Sequence, residues 1–133
     1  MLAIRPQHLS AILHALEQAA PIAGAVTCLQ PAVERVAERA RRRGLVFVIS
    51  DLLDLAADPR AIVRGLRGRH HDVAIFHLLD PDEIDLPFDR LTRFEGLEGE
   101  PSLTTDPVAV RKGYLAELGQ LTDRWRRAAA ESA

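Results

Sequence analysis

Residues 45–49 read LVFVI and residues 72–79 read DVAIFHLL. Both runs are short, continuous and rich in β-branched side chains, the pattern of strands buried on both faces. Between them, Asp58 and Pro59 supply an N-cap and a proline at the first helical position. Ile62, Val63 and Leu66 then follow at helical spacing, and Gly65 and Gly68 weaken the helix toward its end. Two buried strands joined by a helix form a βαβ unit, whose strands run parallel and whose crossover is right-handed. The chain is therefore expected to be α/β, with helices covering a parallel sheet.

The flanks add helices. Leu9, Ile12, Leu13 and Leu16 fall on one helical face within residues 8–20, and Pro21 and Gly24 end that stretch. A second helix is expected from about Thr27 to Arg43, with Leu29, Val33, Val36 and Ala40 on one face and Gly44 as the stop. Its last turn would hold Arg41, Arg42 and Arg43 against the negative end of the helix dipole. Asp80-Pro81 repeats the aspartate-proline start for one helical turn. Residues 92–105 read as two short strands around a turn at Glu98–Pro101. Asp106-Pro107 opens a final helix to about Ala130, with Val110, Tyr114, Leu118, Leu121 and Trp125 along its apolar side.

Composition narrows the function classes. A chain of 133 residues suits one domain, and a formal charge of −2 gives no general attraction to nucleic acid or anionic lipid. Lys112 is the only lysine. Cys28 is the only cysteine, which rules out an internal disulfide and suits a reducing compartment. No apolar stretch reaches the roughly 20 residues of a membrane span, and the start lacks a signal-peptide pattern. A cytoplasmic location is the expectation.

Why does a run built for burial end on a carboxylate, as LVFVISDLLD does? In open α/β sheets, ligands bind beyond the carboxyl ends of the strands. Asp51 and Asp80 lie at two such ends, with Asp54 on the loop beside Asp51. Clustered oxygens suit a hard cation such as magnesium. An aspartate leaving a strand also bonds nearby backbone amides, and Asp80 before Pro81 is accounted for as an N-cap. Both readings stand at this level. Thr27, with Gln30 three residues on, resembles a capping box complicated by Pro31. His70 and His71 sit near a helix end, His77 within a strand, and none has a partner at a metal spacing. The ARRRG run reads as a solvated helix end.

The segments AVTCLQPAVERVAERARRRGLVFVISDLLD, HDVAIFHLLDPDEIDLPFDRLTRFEGLEGEP and DPVAVRKGYLAEL resemble, in order, a bacterial family of von Willebrand factor A-like proteins. This is the domain-of-unknown-function family fifty-eight, often encoded beside MoxR-type AAA+ ATPases. The resemblance implies a doubly wound parallel sheet whose carboxyl-end loops form a metal-ion-dependent adhesion site. Such a site combines an Asp-x-Ser-x-Ser loop, a threonine and an aspartate. Thr27 matches the threonine, Asp51 the aspartate, and Ser50 precedes it. Cys28 stands where the family usually carries aspartate, and none of Ser10, Ser50, Ser102 and Ser132 lies in an Asp-x-Ser-x-Ser loop. Residues 1–133 thus read as a single truncated von Willebrand A-like half-domain with flanking helices and a C-terminal helix.

The resemblance implies a non-enzymatic protein–protein interaction module with an incomplete metal site at Thr27, Ser50 and Asp51, working with a MoxR-type AAA+ ATPase. No cofactor is expected in the isolated chain. Magnesium would require the missing loop. The alternatives are a receiver-like phospho-accepting domain, which needs an early acidic pair and a lysine at a strand end, and a remnant without independent function. The exposed edge of strand 45–49 is a template for another chain, so a homodimer through that edge is expected, with exchange of the N-terminal helix as the second geometry.

Overall fold

Pairing of the two apolar runs organises the molecule. The structure, a computed structural model, describes residues 6–20, 28–54, 56–96 and 101–131. In chain order these form α1 (Pro6–Gln18), α2 (Leu29–Arg39), β1 (Leu45–Ser50), α3 (Pro59–Arg67) and β2 (Asp72–His77). They continue as α4 (Pro81–Asp85), β3 (Thr92–Phe94), β4 (Leu103–Thr105) and α5 (Pro107–Glu131). β1 and β2 pair in parallel from Leu45 opposite Asp72 to Ser50 opposite His77. β3 and β4 form a separate antiparallel pair, Thr92 opposite Thr105. Of the turn expected at Glu98–Pro101, residues 98–100 lie outside the described residues.

The core lies on one face of the β1–β2 sheet. Alternation along a strand puts Val46, Val48, Val73 and Ile75 on that face. Val33 and Ala37 of α2, Ile62 and Leu66 of α3, and Leu121 and Trp125 of α5 close over it. α3 is the crossover, and its expected face is buried throughout: Ile62, Val63 and Leu66 are at most 3% exposed. Burying each such side chain contributes about 1.5–3 kcal/mol, so Leu66→Ala alone would cost about 2–5 kcal/mol. The Asp58 carboxylate accepts from the Arg60 amide at 2.9 Å, the cap that the sequence signals.

The opposite face corrects the expectation of strands buried on both sides. Leu45, Phe47, Ile49 and Phe76 are 50–64% exposed, and among the described residues nothing covers them beyond the Phe47–Phe76 ring contact at 5.8 Å. The reason is that α2, α3 and α5 all pack on the Val46 side. The α1 stripe that could shield the other side stands in water, with Leu9, Ile12, Leu13 and Leu16 51–66% exposed. The described chain is mixed α/β with a two-stranded parallel sheet, and its helices are not distributed over both faces.

Two further boundaries differ from the sequence reading. α2 stops at Arg39, because its last helical bond runs from the Ala40 amide to Val36 and the chain then leaves the helix. Arg41–Arg43 therefore form a connector rather than a last turn. It delivers the Gly44 carbonyl to the Asp72 amide at 2.9 Å, where the parallel ladder starts. In α5, Leu121, Trp125 and Ala128 are buried toward the C-terminus and Pro107 at the first position, while Val110 between them is 41% exposed. The N-terminal part works through Arg111. Its guanidinium donates to the carbonyls of Leu86 at 3.0 Å and Phe88 at 2.7 Å, pinning the loop after α4.

Candidate functional site at the carboxyl edge of the sheet

β1 and β2 end side by side, so Ser50 and His77 face each other across the last rung. The following loop is shaped by its own polar side chains. The Ser50 hydroxyl accepts from the Leu52 amide at 3.0 Å and donates to Asp51 Oδ1 at 3.3 Å. Asp51 Oδ1 also accepts from the Leu53 amide at 3.1 Å. His77 bonds the Asp51 carbonyl at 2.9 Å through Nε2. Because a carbonyl only accepts, Nε2 carries the proton.

Leu52 sits at φ 59°, in the left-handed region, and is 1% exposed within the core. A branched side chain there costs about 1–3 kcal/mol unless its surroundings hold it. Burial and the Ser50 bond hold it. With Leu52 turned inward, Asp51 and Leu53 on either side of it are exposed. That is why a carboxylate ends the apolar run: it begins a tight loop whose next side chain returns to the core.

Asp54 does something the spacing did not signal. Its Oδ2 accepts from the Leu29 amide at 2.8 Å, across 25 residues, and Oδ1 accepts from Ala56 at 3.1 Å. Cys28, the N-cap residue of α2, makes no side-chain capping bond, so Asp54 caps that helix from a distant loop. Gln30 donates to Glu34 at 3.2 Å, and Thr27, its partner in the expected capping box, lies outside the described residues. Asp80 fulfils its N-cap reading with a complete box. It accepts from the Asp82 amide at 2.8 Å, while Glu83 accepts from the Asp80 amide at 2.7 Å.

Among the described residues, the donor set does not fit a resident magnesium ion. Ser50 and Asp54 Oδ1 are engaged within the loop, Asp54 Oδ2 accepts from the Leu29 amide, and Asp51 Oδ1 is shared between two donors. From these residues an octahedral cation would gain little beyond the second Asp51 oxygen. Among the described residues, no group of three or more histidine, cysteine, aspartate or glutamate side chains is placed to hold a metal. Nor is Ser50 activated, since His77 bonds a carbonyl rather than the hydroxyl. A groove of about 640 Å³ runs beside this edge between β2, α4 and α5, lined by Leu52, Ile75, His77, Leu118, Thr122 and Trp125. The Thr122 hydroxyl is spent on the Leu118 carbonyl at 2.9 Å, while Asp123 and Arg126, 3.8 Å apart, add a charged pair to the lining. Lys112 lies within α5, not at a strand end.

An α/β chain with a parallel pair and its polar loops gathered at one sheet edge is the class that this geometry defines. The chain belongs to the family described as protein of unknown function DUF58, which matches residues 5–122. Comparison with curated proteins and with solved structures gives no match.

Proposed function

We propose that the chain is a non-enzymatic protein-binding module of von Willebrand A-like fold whose docking surface is the Ser50–Asp54 loop. The observation that carries this reading is the loop itself. A buried left-handed Leu52 and several side-chain-to-backbone bonds hold Asp51 and Leu53 outward in one shape. Backbone strain that the surroundings over-determine concentrates at functional positions. A pre-ordered loop loses little freedom on binding, which favours recognition. It presents a carboxylate beside a leucine that is 46% exposed, a match for an arginine or lysine next to an apolar pocket.

The partner proposed is a MoxR-type AAA+ ATPase, from the family resemblance, and the compartment is the cytoplasm, in keeping with the exposed free thiol of Cys28. The metal site is incomplete, so binding does not require magnesium. The test is calorimetry of the purified chain against the MoxR-type ATPase encoded in the same genome. Binding should weaken at least tenfold in both Asp51→Ala and Leu53→Asp and should survive a chelator. Absence of binding, or reproducible hydrolase turnover abolished by Asp51→Ala, would overturn the reading.

A further inference from the structure

Two apolar surfaces stand at least half exposed among the described residues, and their dimensions match. On the sheet, Leu45, Phe47 and Ile49 extend over about 13 Å of β1, with Phe76 beside them on β2. On α1, Leu9, Ile12, Leu13 and Leu16 form a stripe about 10 Å long. A face only two strands wide is about as broad as one helix. We propose that two copies of this chain form a two-fold dimer by exchanging α1, each stripe packing on the partner's open sheet face.

Area argues for a second copy. The eight side chains are each half to two-thirds exposed and present on the order of 100 Å² apiece, roughly 800 Å² per copy. Reciprocal exchange buries both surfaces on both copies, about 1,600 Å² in all, the size of a standard stable interface. Antiparallel pairing of the two β1 edges would satisfy backbone groups but leave these side chains in water. A two-fold axis also closes the assembly, so no sticky face remains to propagate. The exchanged contact lies on the sheet face, apart from the Ser50–Asp54 loop, so it stands or falls independently of the partner reading above.

Light scattering of the full chain at micromolar concentration should give a dimer. Leu13→Asp and Phe47→Asp should each raise the dimer dissociation constant at least a hundredfold. Their circular dichroism and cooperative unfolding, measured in parallel, should remain those of a folded chain. In a Cys28→Ser background, a Leu13→Cys chain mixed with a Phe47→Cys chain should give a disulfide-linked heterodimer on mild oxidation. A monomeric parent chain overturns the proposal. So does a cross-link formed only when both cysteines are on one chain, which means that α1 folds onto its own sheet. A dimer insensitive to Leu13→Asp but lost in Val46→Pro or Val48→Pro assigns the contact to the β1 edge instead. Asp51→Ala and Leu53→Asp should leave the dimer unchanged.

Discussion

Asp54→Ala should destabilise the fold by about 1.5–2.5 kcal/mol. Deleting the carboxylate leaves the Leu29 amide at the start of α2 without its 2.8 Å acceptor, and Cys28 offers no substitute. Loss of an N-cap costs about 0.5–2 kcal/mol, and loss of a negative charge at a helix N-terminus a further ~0.3–1 kcal/mol. The Ala56 amide loses its partner as well, although it is exposed and regains water. Asp54→Asn retains one acceptor oxygen and should lose about half as much. For a chain of this length the alanine variant should melt roughly 5–10 °C lower. Urea unfolding followed by fluorescence provides the assay, because Trp125 is the only tryptophan and lies 4% exposed in the core that α2 helps to build. The control is Asp51→Asn. That side chain is exposed and its Oδ1 can still accept from Leu53, so stability should stay within about 0.5 kcal/mol of the parent. The reasoning is refuted if Asp54→Ala melts with the parent chain. It is equally refuted if both variants are stabilised and magnesium reverses the gain, the behaviour of a cation site.

His70 holds a left-handed φ of 65° while exposed, so His70→Gly should stabilise by about 0.5–1 kcal/mol in the same assay, and a loss would mean that its ring makes a needed contact. His71 is 3% exposed with neither ring nitrogen bonded among the described residues, so His71→Leu should add about 1 kcal/mol; a loss of that size would reveal a partner for the imidazole. Tyr114, the single tyrosine, ionises above its ordinary value because partial burial disfavours the phenolate and Glu83 repels it. With the folded value raised, its contribution to stability is present below about pH 10 and lost as pH climbs through the folded value. Phenolate absorbance should locate the transition, and Glu83→Gln should move it partway back; no movement would leave burial as the whole cause.

Local signals were legible wherever their cause was local. Asp58 and Asp80 cap the helices that their prolines begin, because cap and amide lie two residues apart. The strands at 45–49 and 72–79 appear nearly where their β-branched runs put them, since burial of at least one face dictates such a run. A continuous apolar run nevertheless does not say whether both faces are covered. Phe47 and Ile49 look as buried as Val48 until helix placement is known, and α2, α3 and α5 all fall on one side. The carboxyl-edge loop was located by Ser50 and Asp51, but the division of labour within it was not. Asp54 reaches Leu29 across 25 residues, a pairing that no spacing rule encodes, and the Arg111 grip on Leu86 and Phe88 is equally non-local. Leu52 gave no sign either, because leucine is among the least expected residues at positive φ.

The length of α5 has a consequence for how the molecule opens. Its 25 residues span about 37 Å, nearly twice the roughly 20 Å of β1, so one rigid rod serves two regions. The C-terminal turns are sealed into the core by Leu121, Trp125 and Ala128, whereas the N-terminal turns are held by buried Pro107 and by the Arg111 bonds to the loop after α4. Amides in the first stretch should exchange with solvent only when the whole chain unfolds. Those in the second depend on one buried proline and a few hydrogen bonds and can be released by a smaller, earlier opening. The hairpin end can thus breathe while the βαβ unit stays shut.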